Sequence, residues 1–566
     1  MRIKHIFLIL SLILSANLFA QHNEEVTIEG TYRPKVNKVD KILAVPETPK
    51  PSFEMPGTEI HTLDIEHHFP MELDKLTPVS YSWKNTRIPN AAKNFLMAGF
   101  GSRLSPVFLY KHNSNLTKNL GLGVGIKHYS SWLGIKDYAP SDFMNNAFDI
   151  SLTSNGLSNL QVGGSVYYKY DMVRYYGVNT TEWTVSETTL AEMAPQQTYN
   201  TIGARFGLAS TNTRNNEFVH DLSADYHCFF GKLGRGMEHF GRLDYDLGYV
   251  ASWWGKKNYP QKIGIALGTE FDHTAFLGQA VDNRLIFKVN PYFEMRDDFY
   301  RLHLGVRMDG ATMFKPSDGF LSVHPDLKGS LFVLDNTLEF YAGLNGGRKL
   351  CTYSDLAGEN PFVGSALNMK VTTVKLGFEG GFRTNIMNTL DVHVGVRYRH
   401  TDNDWFYRQN LFTVYPITGD HPHNSYDVIY DETRQVSVLG NVRWLALDKL
   451  TVDAGVAYHS CKPVVEQRAW YRPELEGDLK LEYQFSEAFA MSTSFLYQGG
   501  RWAKDDMGTP FKLDDVYDLG LGADYKVQDQ FTVFVKANNI LNRKYSLYRG
   551  YPVSGIEFFA GLKMNF

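Results

Sequence analysis

The chain has 566 residues, 21% of them charged and 14% aromatic, with 33 Tyr, 37 Phe, 48 Gly and a formal net charge of −4. So small a net charge leaves no footprint for nucleic acid, and a mean hydropathy of −0.29 argues against apolar membrane helices. Tyrosine, phenylalanine, valine, threonine and glycine dominate, the composition of strands joined by tight turns.

Residues 1–20 read as a signal peptide. Arg2 and Lys4 give a basic start, Ile6 to Leu14 is an apolar core, and Ala20 precedes the cut before Gln21. The core is too short to stay in a bilayer, and no cysteine follows the cut to carry a lipid anchor. Beyond it no run of 18 apolar residues occurs. A secreted chain that resides in a membrane must then form a closed barrel, which pairs every backbone group without water. Residues 21–92 carry eight of the 22 prolines, each of which removes a backbone donor. Only Glu25 to Tyr32 reads as a strand there, so this segment is expected to be a short, extended periplasmic arm.

From Lys93 onward apolar and polar residues alternate with period 2, the pattern of strands between lipid and a wet lumen. Leu390, Val392, Val394, Val396 and Tyr398 face one way; Asp391, His393, Gly395, Arg397 and Arg399 face the other. Leu450, Val452, Ala454, Val456 and Tyr458 alternate with Thr451, Asp453, Gly455, Ala457 and His459. The count is about 22 strands between Asn94 and Phe566. Connections such as Ser154–Ser158 and Thr384–Asn388 are short and alternate with long ones such as Val173–Tyr199, Gly346–Asn368, His400–Thr433 and Gly499–Asp514. Short turns on one side and long loops on the other are the asymmetry of outer-membrane barrels. The expected fold is therefore all-β, a transmembrane antiparallel barrel over residues 93–566. Its last strand places Ile556, Phe558, Ala560, Leu562, Met564 and Phe566 on one face, and a terminal Phe on such a strand resembles the signal read by the barrel-assembly machinery.

The sequence offers no catalytic or cofactor-binding set. Cys228, Cys351 and Cys461 are scattered without ligand spacing. His61, Asp64, Glu66, His67 and His68 in the arm, and His421 and His423 in a long loop, are better read as solvated polar residues than as a metal site. No phosphate loop or nucleophile elbow occurs, so no enzyme is expected. Asp391, His393, Arg397, Arg399, Asp453 and His459 are candidate lumen-lining residues, where charge tunes selectivity.

Two stretches resemble TonB-dependent receptors of the Bacteroidota type: Val535 to Tyr545, followed by Tyr551-Pro552 and the closing strand, and Glu25 to Tyr32, similar to the first strand of a receptor plug. Tyr32-Arg33-Pro34, Ala98-Gly99-Phe100-Gly101 and Lys127 to Ser131 resemble a plug-less group of such barrels. The resemblance implies outer-membrane localisation, contact with lipid and the assembly machinery, and transport or reception of a ligand; without a plug it does not imply TonB coupling. The alternative is a structural or assembly barrel that scaffolds a surface lipoprotein or a plug-like partner. A lumen of this width must be filled by the long loops, by another subunit, or by residues 21–92, whose extended reach favours the arm.

Overall fold

The computed structural model describes residues 93–566, apart from 158, 182–185, 212–215, 254–259, 313–320, 334–336, 365–366, 411–424 and 506. The signal peptide, the arm with its histidines, and His421 and His423 lie outside the described residues.

Alternation over Asn94–Phe566 builds one 22-stranded antiparallel sheet. Each strand pairs with the next, and the first, Asn94–Gly101, pairs with the last, Glu557–Asn565, so the sheet closes into a barrel. At the seam the Asn94 amide donates to the Phe566 carbonyl at 2.8 Å, and the Phe566 amide returns a bond to Asn94 at 3.0 Å. Gly99 and Gly561 are partners there. A Cβ on Gly99 would sit 2.8 Å from the Phe534 ring, and one on Gly561 would sit 2.2 Å from the Ala98 carbonyl. Glycine on both strands is what lets the barrel close under that ring.

Register sorts the residues into two faces. Val392, Val442, Ala454, Leu479, Phe495 and Leu519 are successive partners across six strands. One position along, Asp391, Arg443, Asp453, Lys480, Ser494 and Gly520 form the matching polar row. The first row is a lipid-facing face, because apolar side chains there remain largely exposed: Val396, Val438 and Val456 are 43%, 44% and 55% accessible. On the last strand Phe558, Leu562 and Phe566 are exposed in the same way, whereas Glu557 and Phe559 are buried.

The expected parity of connections holds for most of the ring with adjusted bounds; the exceptions are the short connections 102–104 and 232–235 on the long-loop side and the longer 252–260 on the short-turn side. The strands Leu390–Gln409 and Tyr426–Leu447 run past the expected loop ends at His400 and Thr433 and pair again beyond a bulge between Thr401 and Asp404. At 20 and 22 residues they are about twice the length a membrane crossing needs. Asp404, where pairing resumes, accepts from both terminal guanidinium nitrogens of Arg472 at 2.7 Å and from the Thr433 hydroxyl at 2.8 Å. Those charge-assisted bonds offset the lost ladder pairing. The large buried apolar cluster of the described residues lies at this long-loop end. In a barrel whose wall is one sheet thick, the place that can bury side chains on all sides is where loops fold over one another.

Candidate functional site

Between the strands Leu338–Leu350 and Val371–Ile386 the chain leaves the sheet for residues 351–370. Thr352 caps a short helix, Tyr353–Glu359, its hydroxyl accepting from the Asp355 amide at 3.1 Å. The helix N-terminus rests on Glu238, a fully buried carboxylate on the strand Gly236–Ala251. Glu238 accepts from the Tyr353 amide, from the Ser354 amide at 3.2 Å and from the Ser354 hydroxyl at 2.6 Å. Negative charge is favoured there, where unpaired amides and the helix dipole converge. Just before the helix, the Cys351 carbonyl accepts from Arg284 at 2.7 Å. Arg284 is itself paired with Asp272, both side chains fully buried. Burial pushes the Cys351 thiol up to about 12, so it acts as a small apolar core group. The Arg348 amide donates to Asp309 at 2.6 Å and the Leu350 amide to Glu270 at 3.3 Å. The first half of this strap and the strand end leading into it are thus fastened to the wall by hydrogen bonds to buried charged side chains, the stronger kind of hydrogen bond.

Aromatic rings hold the strap along its length. Tyr353 is packed edge-on by Phe229 and Phe276, each at a centroid distance of 5.0 Å. Phe362 stacks on Tyr551 at 3.6 Å and meets Tyr175 and Tyr176 edge-on at 6.0 and 5.9 Å. The Tyr175 hydroxyl donates to the Val363 carbonyl at 2.7 Å, and Tyr199 to that of Pro361 at 2.9 Å. On the far side, the Tyr426 amide donates to the Phe362 carbonyl at 3.0 Å, and the Gly364 amide to that of Tyr426 at 2.8 Å. Tyr175 follows the fifth strand of the ring, and Tyr426 starts the sixteenth. In a ring of 22 those strands stand half a turn apart. Residues 362–364 therefore lie where elements from opposite sides of the ring meet over the mouth of the barrel.

Three further loops complete the cap. Trp470 is buried and donates to Glu466 at 2.8 Å, which also pairs with Lys504 at 2.7 Å. Arg501, also buried, donates to the carbonyls of Asp514, Ser546 and Leu547 at 2.9–3.3 Å. At the corner after the penultimate strand of the barrel, Asn539 and Asn542 have φ of +46° and +51°. Asn539 bonds the Arg543 and Ser554 carbonyls at 2.8 and 2.9 Å, and Asn542 accepts from Ile556 at 3.1 Å. Asparagine tolerates that backbone and supplies the bonds that fix the loop's exit. Tyr548 then donates to the Glu359 carbonyl at 2.8 Å.

The six residues named from the sequence lie elsewhere, on the wall. Register puts Asp391, His393, Arg397 and Arg399 on one face, with Asp453 and His459 on that face two strands away. His393 lies 2.8 Å from the Tyr341 hydroxyl, Asp391 accepts from Asn385, and Asp453 faces Arg443 at 3.6 Å. His459 sits 2.8 Å from the Ser437 hydroxyl and 3.7 Å from Glu476. They are spread along two strands of the wall and are not gathered at one point. A recess of about 320 Å³ opens elsewhere on the wall, among Asp221, Arg242, Asp244, Asp246, Lys288 and Arg307. Sequence reasoning missed the cap residues Glu238, Arg284, Tyr353 and Phe362. The signal within reach was the Thr352-to-Asp355 capping spacing inside an aromatic-rich loop.

No protein-family model and no curated protein matches the chain. Solved structures do resemble it. The P. aeruginosa protein FpvA, bound to a heterologous pyoverdine–iron complex, is 14% identical with a TM-score of 0.61, covering 84% of this chain and 72% of its own. The siderophore receptor PirA from Acinetobacter baumannii is 11% identical with a TM-score of 0.63, covering 85% and 81%. The copper transporter OprC is 13% identical with a TM-score of 0.59, covering 85% and 82%. What is shared at such identities is the 22-stranded barrel fold.

Proposed function

We propose that this chain is an outer-membrane, receptor-like barrel that transports or receives a ligand across the outer membrane, gated by a cap of its own long loops. The observation that carries this reading is the strap, residues 351–364, which joins strands half a ring apart. A barrel of this size encloses a channel unless something fills it, and a strap held by elements from both sides of the ring is suited to fill it. The likeness to a pyoverdine-bound protein, a siderophore receptor and a copper transporter supports the reading at the level of transport. In this scheme the long loops are extracellular, and the polar face bearing Asp391, His393, Arg397, Arg399, Asp453 and His459 lines the lumen. The strand ending at Phe566 serves as the assembly signal.

Planar-bilayer conductance tests the gate. Replacing residues 352–363 with a Gly-Ser linker should leave a heat-modifiable barrel and convert a nearly silent protein into a conducting one. Truncating residues 21–85 in parallel measures what the arm adds, and its effect is expected to be the smaller. Free conduction by the intact protein, or continued silence of the folded strapless one, would overturn the assignment.

A further inference from the structure

Taking the strap as the gate, which is the reading this inference rests on, its second half sits in its seat as a peptide sits in a binding groove. Beyond the helix the backbone turns extended at Asn360, with φ −129° and ψ 100°. The next three carbonyls each accept from a different element: Pro361 from the Tyr199 hydroxyl, Phe362 from the Tyr426 amide, and Val363 from the Tyr175 hydroxyl. Val363 pairs with Tyr426 in a single parallel bridge at the start of Tyr426–Leu447. Main-chain bonds of this kind recognise any extended chain, and selectivity must come from a side-chain pocket. That pocket is present: Phe362 is stacked on Tyr551 and ringed edge-on by Tyr175, Tyr176 and Tyr548. All of these partners belong to other parts of the molecule, so the groove is complete without the segment that fills it.

The two halves of the strap differ in how they are fastened. Residues 351–354, and the strand end 348–350 before them, are held by Arg284, Glu238, Asp309 and Glu270, buried charged groups whose hydrogen bonds to this segment are stronger than neutral ones. Residues 361–364 are held by neutral hydrogen bonds and ring contacts, which a competing chain of the same chemistry can replace one for one. We propose that the tyrosine groove binds an extended peptide carrying an aromatic residue, and that Asn360–Gly364 occupies it in cis until such a peptide displaces it.

A fluorescein-labelled hexapeptide, Asn-Pro-Phe-Val-Gly-Ser, titrated against the full-length protein in detergent is the test. The double substitution Phe362→Gly, Val363→Gly should empty the groove. Saturable binding to that variant is expected, roughly ten-fold or more tighter than to the unmodified protein, whose groove is already filled. Adding Tyr551→Ala to the emptied variant should abolish it, and a competitor with glycine in place of phenylalanine should not displace the label. No saturable binding to a folded, heat-modifiable variant, or equal competition by the glycine peptide, overturns the proposal. Should that variant fail to assemble, the unmodified protein gives the answer: excess peptide should speed chymotryptic cleavage at Phe362, and an unchanged rate counts against displacement. Neither readout depends on conductance, so a failure here is distinguishable from a failure of the gate.

Discussion

The barrel wall and the loop cap are built from the same aromatic and aliphatic residues under different rules. In the wall, Val442 meets Val392 and Ala454, its partners on adjacent strands, and its face repeats every second residue. In the cap, Phe362 meets Tyr175, Tyr548 and Tyr551, drawn from loops elsewhere around the ring. The wall exposes its apolar face and pairs its backbone in a closed ladder; the cap buries its apolar groups and satisfies backbone through side chains. One consequence is cooperativity. A closed ladder has no edge from which to fray, whereas a cap of loops can open locally while the wall stays intact. A gate needs that separation.

The sharpest way to break the comparison is to put one charge on each face of the wall. Val456→Arg, on the lipid face beside Gly440 and Gly477, should cost about 2–4 kcal/mol, the depth-dependent penalty for arginine near the bilayer midplane. Ser494→Arg, in the polar row next to Lys480, should cost under about 1 kcal/mol. Urea unfolding in bilayers reads both, and equal costs would mean the faces are misassigned. A smaller, local effect is expected in the cap. Glu238→Ala removes the acceptor for the Tyr353 and Ser354 amides and the Ser354 hydroxyl, worth roughly 1–3 kcal/mol for buried donors left unpaired. Proteolysis within 351–370 should accelerate while the heat-modifiable mobility of the barrel is unchanged. If both change together, wall and cap are one cooperative unit.

The wall was legible because its rule is local. Leu390 to Arg399 announces two faces with no knowledge of its neighbours, and the register of Asp391, Arg443 and Asp453 follows once strands are counted. The short turns were legible for the same reason. What failed was the reach of the strands: His400 to Gln409 loses the alternation because its side chains face cap contacts such as Arg472 to Asp404. The cap itself was read as loop. Glu238 and Arg284 look like ordinary polar-face residues in their strands, and nothing local says that they meet residues 351–354, more than 60 positions away. Tyr175, Phe362 and Tyr551 carry no periodicity at all. Their excess of rings was visible as composition, but contacts across a barrel mouth are a property of closure, which one strand cannot report.

The smallest effect sharpens the comparison where wall and cap touch. Glu359 ends the strap helix and accepts the Trp405 indole N–H at 2.9 Å, beside Arg472. Burial pushes its carboxyl above the usual range; the Trp405 bond and the Arg472 charge pull against that shift without cancelling it. A carboxyl raised in the folded state holds its proton where the unfolded chain has lost it, so stability falls as pH rises from the ordinary glutamate range through the raised value. Cap proteolysis should therefore quicken over that window at constant ionic strength, with no matching change in the barrel. Glu359→Gln keeps an acceptor for Trp405 and carries no charge, so it should flatten that dependence and leave the cap at neutral pH as stable as, or slightly more stable than, the unmodified protein. A pH dependence surviving in Glu359→Gln would place the titration in another group, whereas a loss of cap stability at neutral pH would show that the Glu359 charge, held against Arg472, stabilises the closed mouth.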